Sequence, residues 1–392
     1  MAAAAHDYEA AAELARFHGT RAGVRGLVES GVTAVPPLFS TPTTMTPAAP
    51  LAPPAAPATP PSSAFTIPVI DLSLPRPDAV ALVRAAARSH GFFHATNHRV
   101  PAGAVAAALA AARSFHEQPL AARSAFYSLD PVGPVAYSTI PVTQQPPVLP
   151  WRDSLRVRFG PGNPELGDLP PSCRDALRVY QRALAGFGEE MAGLLSEALG
   201  VGAARLEEEL RVRGWLMACH YYPPCLKPGS VMVGSREHTD PGVFTVLAQD
   251  GVGGLQVRYD RDHDGDVDDN GGVWVDVVPV PGALLVNIGD LLKVVSNDEY
   301  KSVEHRVVIR SKQDARVSIA LFFNPAKRGH SDRFGPLPEL ATAERPAEYR
   351  NFTFFEFMSS RRKFGHSRSS MQCLKAAPRR RHADSSEPPP RR

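Results

Sequence analysis

EHTDPGVFTVLAQD, residues Glu237–Asp250, is the stretch on which the reading of the fold turns. It places His238 and Asp240 two residues apart at the head of an apolar, β-prone run, and His305 follows 65 residues beyond Asp240. On a strand, residues i and i+2 share a face, so His238 and Asp240 are expected to project together into a barrel mouth. An opposing strand then supplies His305. Two imidazoles and a carboxylate on one face form the facial triad of non-haem iron(II). Three coordination positions stay open, two for a bidentate 2-oxo acid and one for O2. Taken alone, HxD…H is a weak signal, because histidine is common on protein surfaces.

Arg316 and Ser318, eleven and thirteen residues past His305, supply a second element. They share a strand face, and the apolar Val317 and Ile319–Phe323 around them imply burial. A buried guanidinium needs an anion, and its planar fork suits a carboxylate. The distal carboxylate of 2-oxoglutarate is the expected partner, with the Ser318 hydroxyl as a further donor. The bland alternative is a surface arginine on a polar edge.

Working outward, β-type runs separated by Gly, Pro and Asp fill the chain beyond Trp215: Val243–Ala248, Leu255–Tyr259, Val273–Val277, Ala283–Ile288, His305–Ile309 and Val317–Phe323. Such spacing predicts an antiparallel sandwich or barrel. Upstream, Ile67–Leu72 and Phe92–Thr96 read as strands, and Asp78–His90, Pro101–Glu117 and Ser172–Ala198 as helices. The expected class is α+β with a mainly β core, helices first. Residues 1–35 form a helical or flexible segment with an amphipathic helix near Tyr8–Phe17. Residues 36–66 are a linker, with ten prolines and no charge between Pro36 and Pro61. The folded body is expected from Ile67, with a helical part over 67–200, the β core over 201–358 and a basic disordered tail over 359–392.

The net charge of +3 hides an asymmetry: from Arg361 onward ten Lys or Arg face two acids, which leaves the rest mildly acidic. A basic folded face for nucleic acid is therefore not supported. The tail reads as solvated, with a nuclear address as the alternative. Cys173, Cys219, Cys225 and Cys373 form no CxxC pair, so neither a zinc cage nor a disulfide framework is expected. No apolar stretch approaches the ~20 residues of a membrane helix. A cytoplasmic protein acting on a small molecule, without membrane or nucleic-acid partner and monomeric by default, is the expectation.

The segments YYPPC (Tyr221–Cys225), VGGLQV (Val252–Val257), PGALLVNIGD (Pro281–Asp290), SNDEYKSVEHRV (Ser296–Val307) and ARVSIALFF (Ala315–Phe323), with Glu237–Asp250, closely resemble the catalytic core of plant 2-oxoglutarate/Fe(II) dioxygenases. IPVIDLS, GFFHATNH and SFHEQP look like that family's N-terminal part, and GVRGLVESG (Gly23–Gly31) resembles the aminocyclopropane-carboxylate-oxidase-homologue branch, which is similar to benzoxazinoid-type dioxygenases. The resemblance implies a distorted double-stranded β-helix, a jelly roll, flanked by N-terminal helices. It also implies His238, Asp240 and His305 as iron ligands, Arg316 and Ser318 on the 2-oxoglutarate carboxylate, Tyr222 as a further cosubstrate contact and Phe322 near the substrate.

Two positions depart from the family: His220 stands where Asn is usual, and Arg99 where Gly is usual. If position 99 needs positive φ, the change costs on the order of 1 kcal/mol. The Asp-rich run Asp260–Gly272 opens like a calcium loop but has Gly271 where the closing Glu belongs, so a solvated hairpin insertion is the better reading. The expected reaction is oxidation of a plant specialised metabolite or hormone, by default hydroxylation, with 2-oxoglutarate and O2 consumed and succinate and CO2 released. Ascorbate is expected to support it. The alternatives are an ascorbate-dependent oxidase resembling aminocyclopropane-carboxylate oxidase, and a catalytically silent binder, though no ligand of the triad is lost. Tyr137, Trp151 and Arg152 are candidate pocket-lining residues.

Overall fold

The computed structural model describes residues 2–39, 66–130, 133–140, 148–159, 164–226, 232–260, 272–326, 328–364 and 368–376. Two sheets face each other. The larger joins β1 (Val69–Asp71), β2 (Phe92–Thr96), β3 (Val135–Ser138), β4 (Asp153–Phe159), β5 (Gly214–Tyr222), β7 (Phe244–Gln249), β10 (Leu284–Ile288) and β12 (Arg316–Asn324), in the order β1-β2-β10-β7-β12-β5-β4-β3. The smaller orders β6 (Met232–His238), β11 (His305–Ile309), β8 (Leu255–Asp260) and β9 (Gly272–Asp276) as β6-β11-β8-β9. Pairing is antiparallel apart from β1 with β2. This is the expected jelly roll.

Alternation decides which residues meet the site. On β5 and β12, Cys219, Tyr221, Ile319 and Leu321 turn toward a core shared with helices α3 (Arg76–Ser89), α4 (Ala102–Glu117) and α6 (Arg174–Ala198). Helix α6 buries Leu177, Tyr180, Leu184, Phe187, Met191 and Leu195, a 3–4 spacing that gives one apolar stripe. The intervening residues Tyr222, His220, Arg316 and Ser318 occupy the opposite face and look into the roll. Arg316 lies opposite Tyr222, and Ser318 opposite His220.

The structure corrects several boundaries. Residues 67–200 hold more strand than expected: β3 and β4 lie in the proline-rich stretch between the expected helices Pro101–Glu117 and Ser172–Ala198 and extend the larger sheet. Proline there interrupts periodicity without preventing edge pairing. The folded body also begins before Ile67. An N-terminal pair, α1 (Ala2–Gly19) and α2 (Gly23–Glu29), precedes a turn that buries Phe39 edge-on to Trp151 at 5.1 Å between ring centroids. Asp153 takes the Val24 and Arg25 amides at the start of α2 (2.9 and 2.8 Å). At the other end, the expected tail boundary at 359 falls inside a helix, Phe354–Phe364, and Arg361 is 1% exposed. Burial opposes its charge, and an acid partner, Asp290, takes the place of solvent. The central stretch of the Pro-rich linker (40–65), most of the Asp-rich insertion (261–271) and the end of the tail (377–392) lie outside the described residues. The strands flanking that insertion, β8 and β9, do pair antiparallel.

Candidate active site

Strands β6 and β11 pair so that His238 lies opposite His305, at the mouth between the two sheets. Their ring centroids are 4.2 Å apart. Asp240 is not on the strand, as the i, i+2 argument supposes; β6 ends at His238, and Asp240 stands in the connection to β7. Other contacts aim it. Its backbone carbonyl accepts the Asp290 amide (2.8 Å), while Thr245 Oγ1 (2.6 Å) and Asn287 Nδ2 (2.9 Å) donate to Oδ2. Gly289 makes the close approach possible, since a Cβ there would stand 2.2 Å from the Gly242 carbonyl oxygen.

With Oδ2 engaged, Oδ1 faces the imidazoles. His238 Nε2 and His305 Nε2 each stand 3.7 Å from Asp240 Oδ1, beyond hydrogen-bonding distance. On the far side of each ring, His238 Nδ1 donates to the Arg236 carbonyl (2.7 Å) and His305 Nδ1 to the Val303 carbonyl (3.2 Å). A carbonyl only accepts, so in the neutral rings the proton sits on Nδ1 and the Nε2 lone pairs point inward. Desolvation first, and the adjacent His305 second, hold His238 below the usual imidazole range, which favours its neutral form. Burial opposes ionisation of Asp240, but His305, His238 and the Asn287 and Thr245 donors outweigh it and hold the carboxyl below its ordinary value. Two neutral nitrogens and one anionic oxygen are a donor set for a divalent transition ion. Among the described residues, this trio is the group of three or more His, Cys, Asp or Glu side chains with metal-binding spacing. His220 is outside it: its Nδ1 meets Ser154 Oγ at 2.8 Å.

Deeper in the roll, Arg316 is 2% exposed. Its Nη1 donates to Ser318 Oγ (2.8 Å) and Nη2 to Gln249 Oε1 (2.9 Å), and its guanidinium lies 5.0 Å from the Tyr222 ring centroid. Nε is buried without a partner, and among the described residues no carboxylate pairs with it. Because Ser318 Oγ accepts from Arg316, its own proton remains free to donate. A buried cation with an orphaned donor and hydroxyl neighbours fits a carboxylate ligand. Gly234 leaves room for Tyr222, whose ring a Cβ there would meet at 2.7 Å.

The remaining candidates separate. Phe322 shares the interior face with Ser318, and Arg152 reaches β6, where Nη1 donates to Ser235 Oγ (3.2 Å). Trp151 packs on Phe39. Tyr137 points away into the core shared with the helices, its hydroxyl donating to the Ala22 carbonyl and to Asp153. Thr245, Asn287, Gln249, Asp290 and Arg361 were not among the residues singled out from sequence. Asn287 left a trace, as the one polar residue in the otherwise apolar, fully buried β10.

Comparison with known proteins agrees with this geometry. The 2OG-Fe(II) oxygenase superfamily model matches residues 215–325, and the model described as the non-haem dioxygenase in morphine synthesis N-terminal matches 67–171. Two Arabidopsis thaliana proteins, 1-aminocyclopropane-1-carboxylate oxidase homologs 4 and 1, are 37% and 36% identical, over 87% and 88% of this chain and 91% and 90% of theirs. A crystal structure of JOX2 in complex with 2OG, Fe and JA superposes with a TM-score of 0.75 at 28% identity, covering 91% of this chain and 98% of that one. The rice dioxygenase for auxin oxidation gives 0.64 at 27% identity, covering 79% and 100%. The chain belongs to the 2OG-Fe(II) oxygenase superfamily, and with it to the iron(II)- and 2-oxoglutarate-dependent dioxygenases.

Proposed function

We propose that His238, Asp240 and His305 hold the catalytic iron(II), that Arg316, Ser318 and Tyr222 seat 2-oxoglutarate, and that the enzyme oxidises a small plant metabolite or hormone. The observation carrying this reading is the pair of inward-facing Nε2 atoms, each 3.7 Å from the one Asp240 oxygen left without a donor. Bound iron(II) supplies dioxygen activation coupled to decarboxylation of 2-oxoglutarate, with succinate and CO2 as co-products. The chain's own part is orientation. Arg316 binds the distal carboxylate with Nε and its fork, Ser318 adds its hydroxyl proton, and the sheet walls exclude water. No side chain is required to move a proton. JOX2, crystallised with JA, and the rice dioxygenase for auxin oxidation favour a hormone or related metabolite as substrate. A monomer acting in the cytoplasm is part of the same proposal.

The test is anaerobic Fe(II) and 2-oxoglutarate titration, then a substrate panel scored by succinate release. His305→Ala is expected to abolish succinate formation; retained turnover removes His305 from the ligand set. Arg316→Lys keeps the charge but loses the planar fork, so the 2-oxoglutarate KM should rise by roughly one to two decades. An unchanged value contradicts the assignment. Turnover with ascorbate in place of 2-oxoglutarate would make the enzyme an oxidase instead.

A further inference from the structure

A second concentration of positive charge lines the interior. Along β4 and the residue before it, Arg152, Ser154 and Arg156 alternate onto the side that faces into the roll. Ser154 lies opposite His220, bonded to it, and Arg156 lies opposite Ala218. Arg152 holds Ser235 through Nη1, while its Nε is buried without a partner. Arg156 donates to Ser138 Oγ. Among the described residues neither guanidinium has a carboxylate within ion-pair distance, whereas Arg25, Arg88, Arg113, Arg123 and Arg361 each do.

Both arginines lie on the sheet face that carries His220, Arg316 and Ser318. After burial, Arg152, Arg156 and Arg316 together hold His220 low. Burial, then repulsion by Arg152 and Arg158, pulls Arg156 down to about 9. Two half-buried cations on one strand face, with no carboxylate partner among the described residues, are costly until an anion arrives. The cosubstrate's distal carboxylate is already accounted for by Arg316. Beside Arg156 the sheet is low: Ala218 and then Ala320 follow it across the strands, with Leu216 and Phe322 one step along. That leaves an apolar floor next to the two guanidiniums.

We propose that the organic substrate is a carboxylic acid with an apolar body, its carboxylate held by Arg152 and Arg156 and its body lying along Ala218, Ala320 and Phe322. This rests on the oxygenase reading above and specifies the substrate class of that site. A bidentate, charge-assisted contact of this kind discriminates strongly against a neutral isostere, whose binding leaves the cations unpaired.

The experiment uses full-length enzyme loaded anaerobically with Fe(II) and 2-oxoglutarate, whose charge-transfer absorption reports both cosubstrate and substrate binding. The probes are aromatic, alicyclic and medium-chain carboxylic acids, each paired with its primary amide. Acids should perturb the band and release succinate in air, with amides at least tenfold weaker. Arg156→Gln and Arg152→Gln should weaken acid binding about ten- to hundredfold, and Arg156→Lys should recover part of the loss. The 2-oxoglutarate half-saturation, which also reports folding, should move by no more than about twofold. Equal binding of acids and amides, or no response to any acid, overturns the proposal. So does a loss of 2-oxoglutarate or ascorbate affinity in the variants in place of acid affinity, which would assign the arginines to those anions. If wild-type enzyme forms no 2-oxoglutarate band, the underlying oxygenase reading fails instead.

Discussion

Asn287 and Thr245 touch Asp240 Oδ2 alone, yet they decide what Oδ1 can do. With both donors in place the carboxylate cannot rotate its second oxygen toward a metal without breaking two buried hydrogen bonds. Asn287→Ala should therefore lower Fe(II) affinity about ten- to hundredfold, measured by anaerobic titration with turnover restored at high iron; unchanged affinity would make the contact merely structural. Arg99 is a different case. It adopts φ +59°, the left-handed region, as the comparison with glycine suggested. Arg99→Gly should stabilise the fold by about 1 kcal/mol in chemical denaturation, and a loss of stability would mean that the arginine side chain outweighs its backbone strain.

At the scale of elements, the helix Phe354–Phe364 reaches the connection that follows His238. Arg361 Nη1 pairs with Asp290 and bonds Thr239 Oγ1 (3.2 Å), and Nη2 donates to the Thr239 carbonyl (2.5 Å). Thr239 is the residue between His238 and Asp240, and it also donates to Asp290 Oδ2 (2.9 Å). This helix thus pins Thr239, the residue between two of the three donors. Arg361→Met strands the buried Asp290 carboxylate and should cost about 3–5 kcal/mol. The double variant Arg361→Met/Asp290→Asn should recover part of that, measured by denaturant unfolding. Additive losses would show that the two side chains do not act as a pair.

Across the whole molecule, the segment after residue 345 is fastened around Asp298, which accepts Lys293 Nζ (2.5 Å), Lys375 Nζ (2.6 Å) and the Tyr349 hydroxyl. Burial opposes its charge, but these donors prevail and hold the carboxyl below its usual value of 3.8. A depressed carboxylate contributes stability above its unfolded pKa and loses it as pH falls through the lower folded value. The wild type should therefore exceed Asp298→Asn by about 1 kcal/mol, constant between pH 5 and 7 and shrinking once pH drops below about 4. A pH-independent difference would rule out the ion pairs as its source.

The β-rich core, the proposed ligand types and the proposed cosubstrate arginine are all readable in the residues themselves. Strand alternation around Arg316 and Ser318, and imidazole–carboxylate spacing at His238 and Asp240, are local properties that survive without a three-dimensional context. Asp240 shows where such reasoning stops, because it lies just beyond the strand and is aimed by Thr245, Asn287 and Asp290. The same holds for Arg361 and for Arg152 with Arg156. Their charges were visible, but whether each faces water, a buried acid or an open cavity depends on which distant strand or helix packs against it. Sequence determined what chemistry this chain could carry. Folding alone decided which of the described charges were paired with an acid and which were not, since desolvation and contact arise only when remote segments close together.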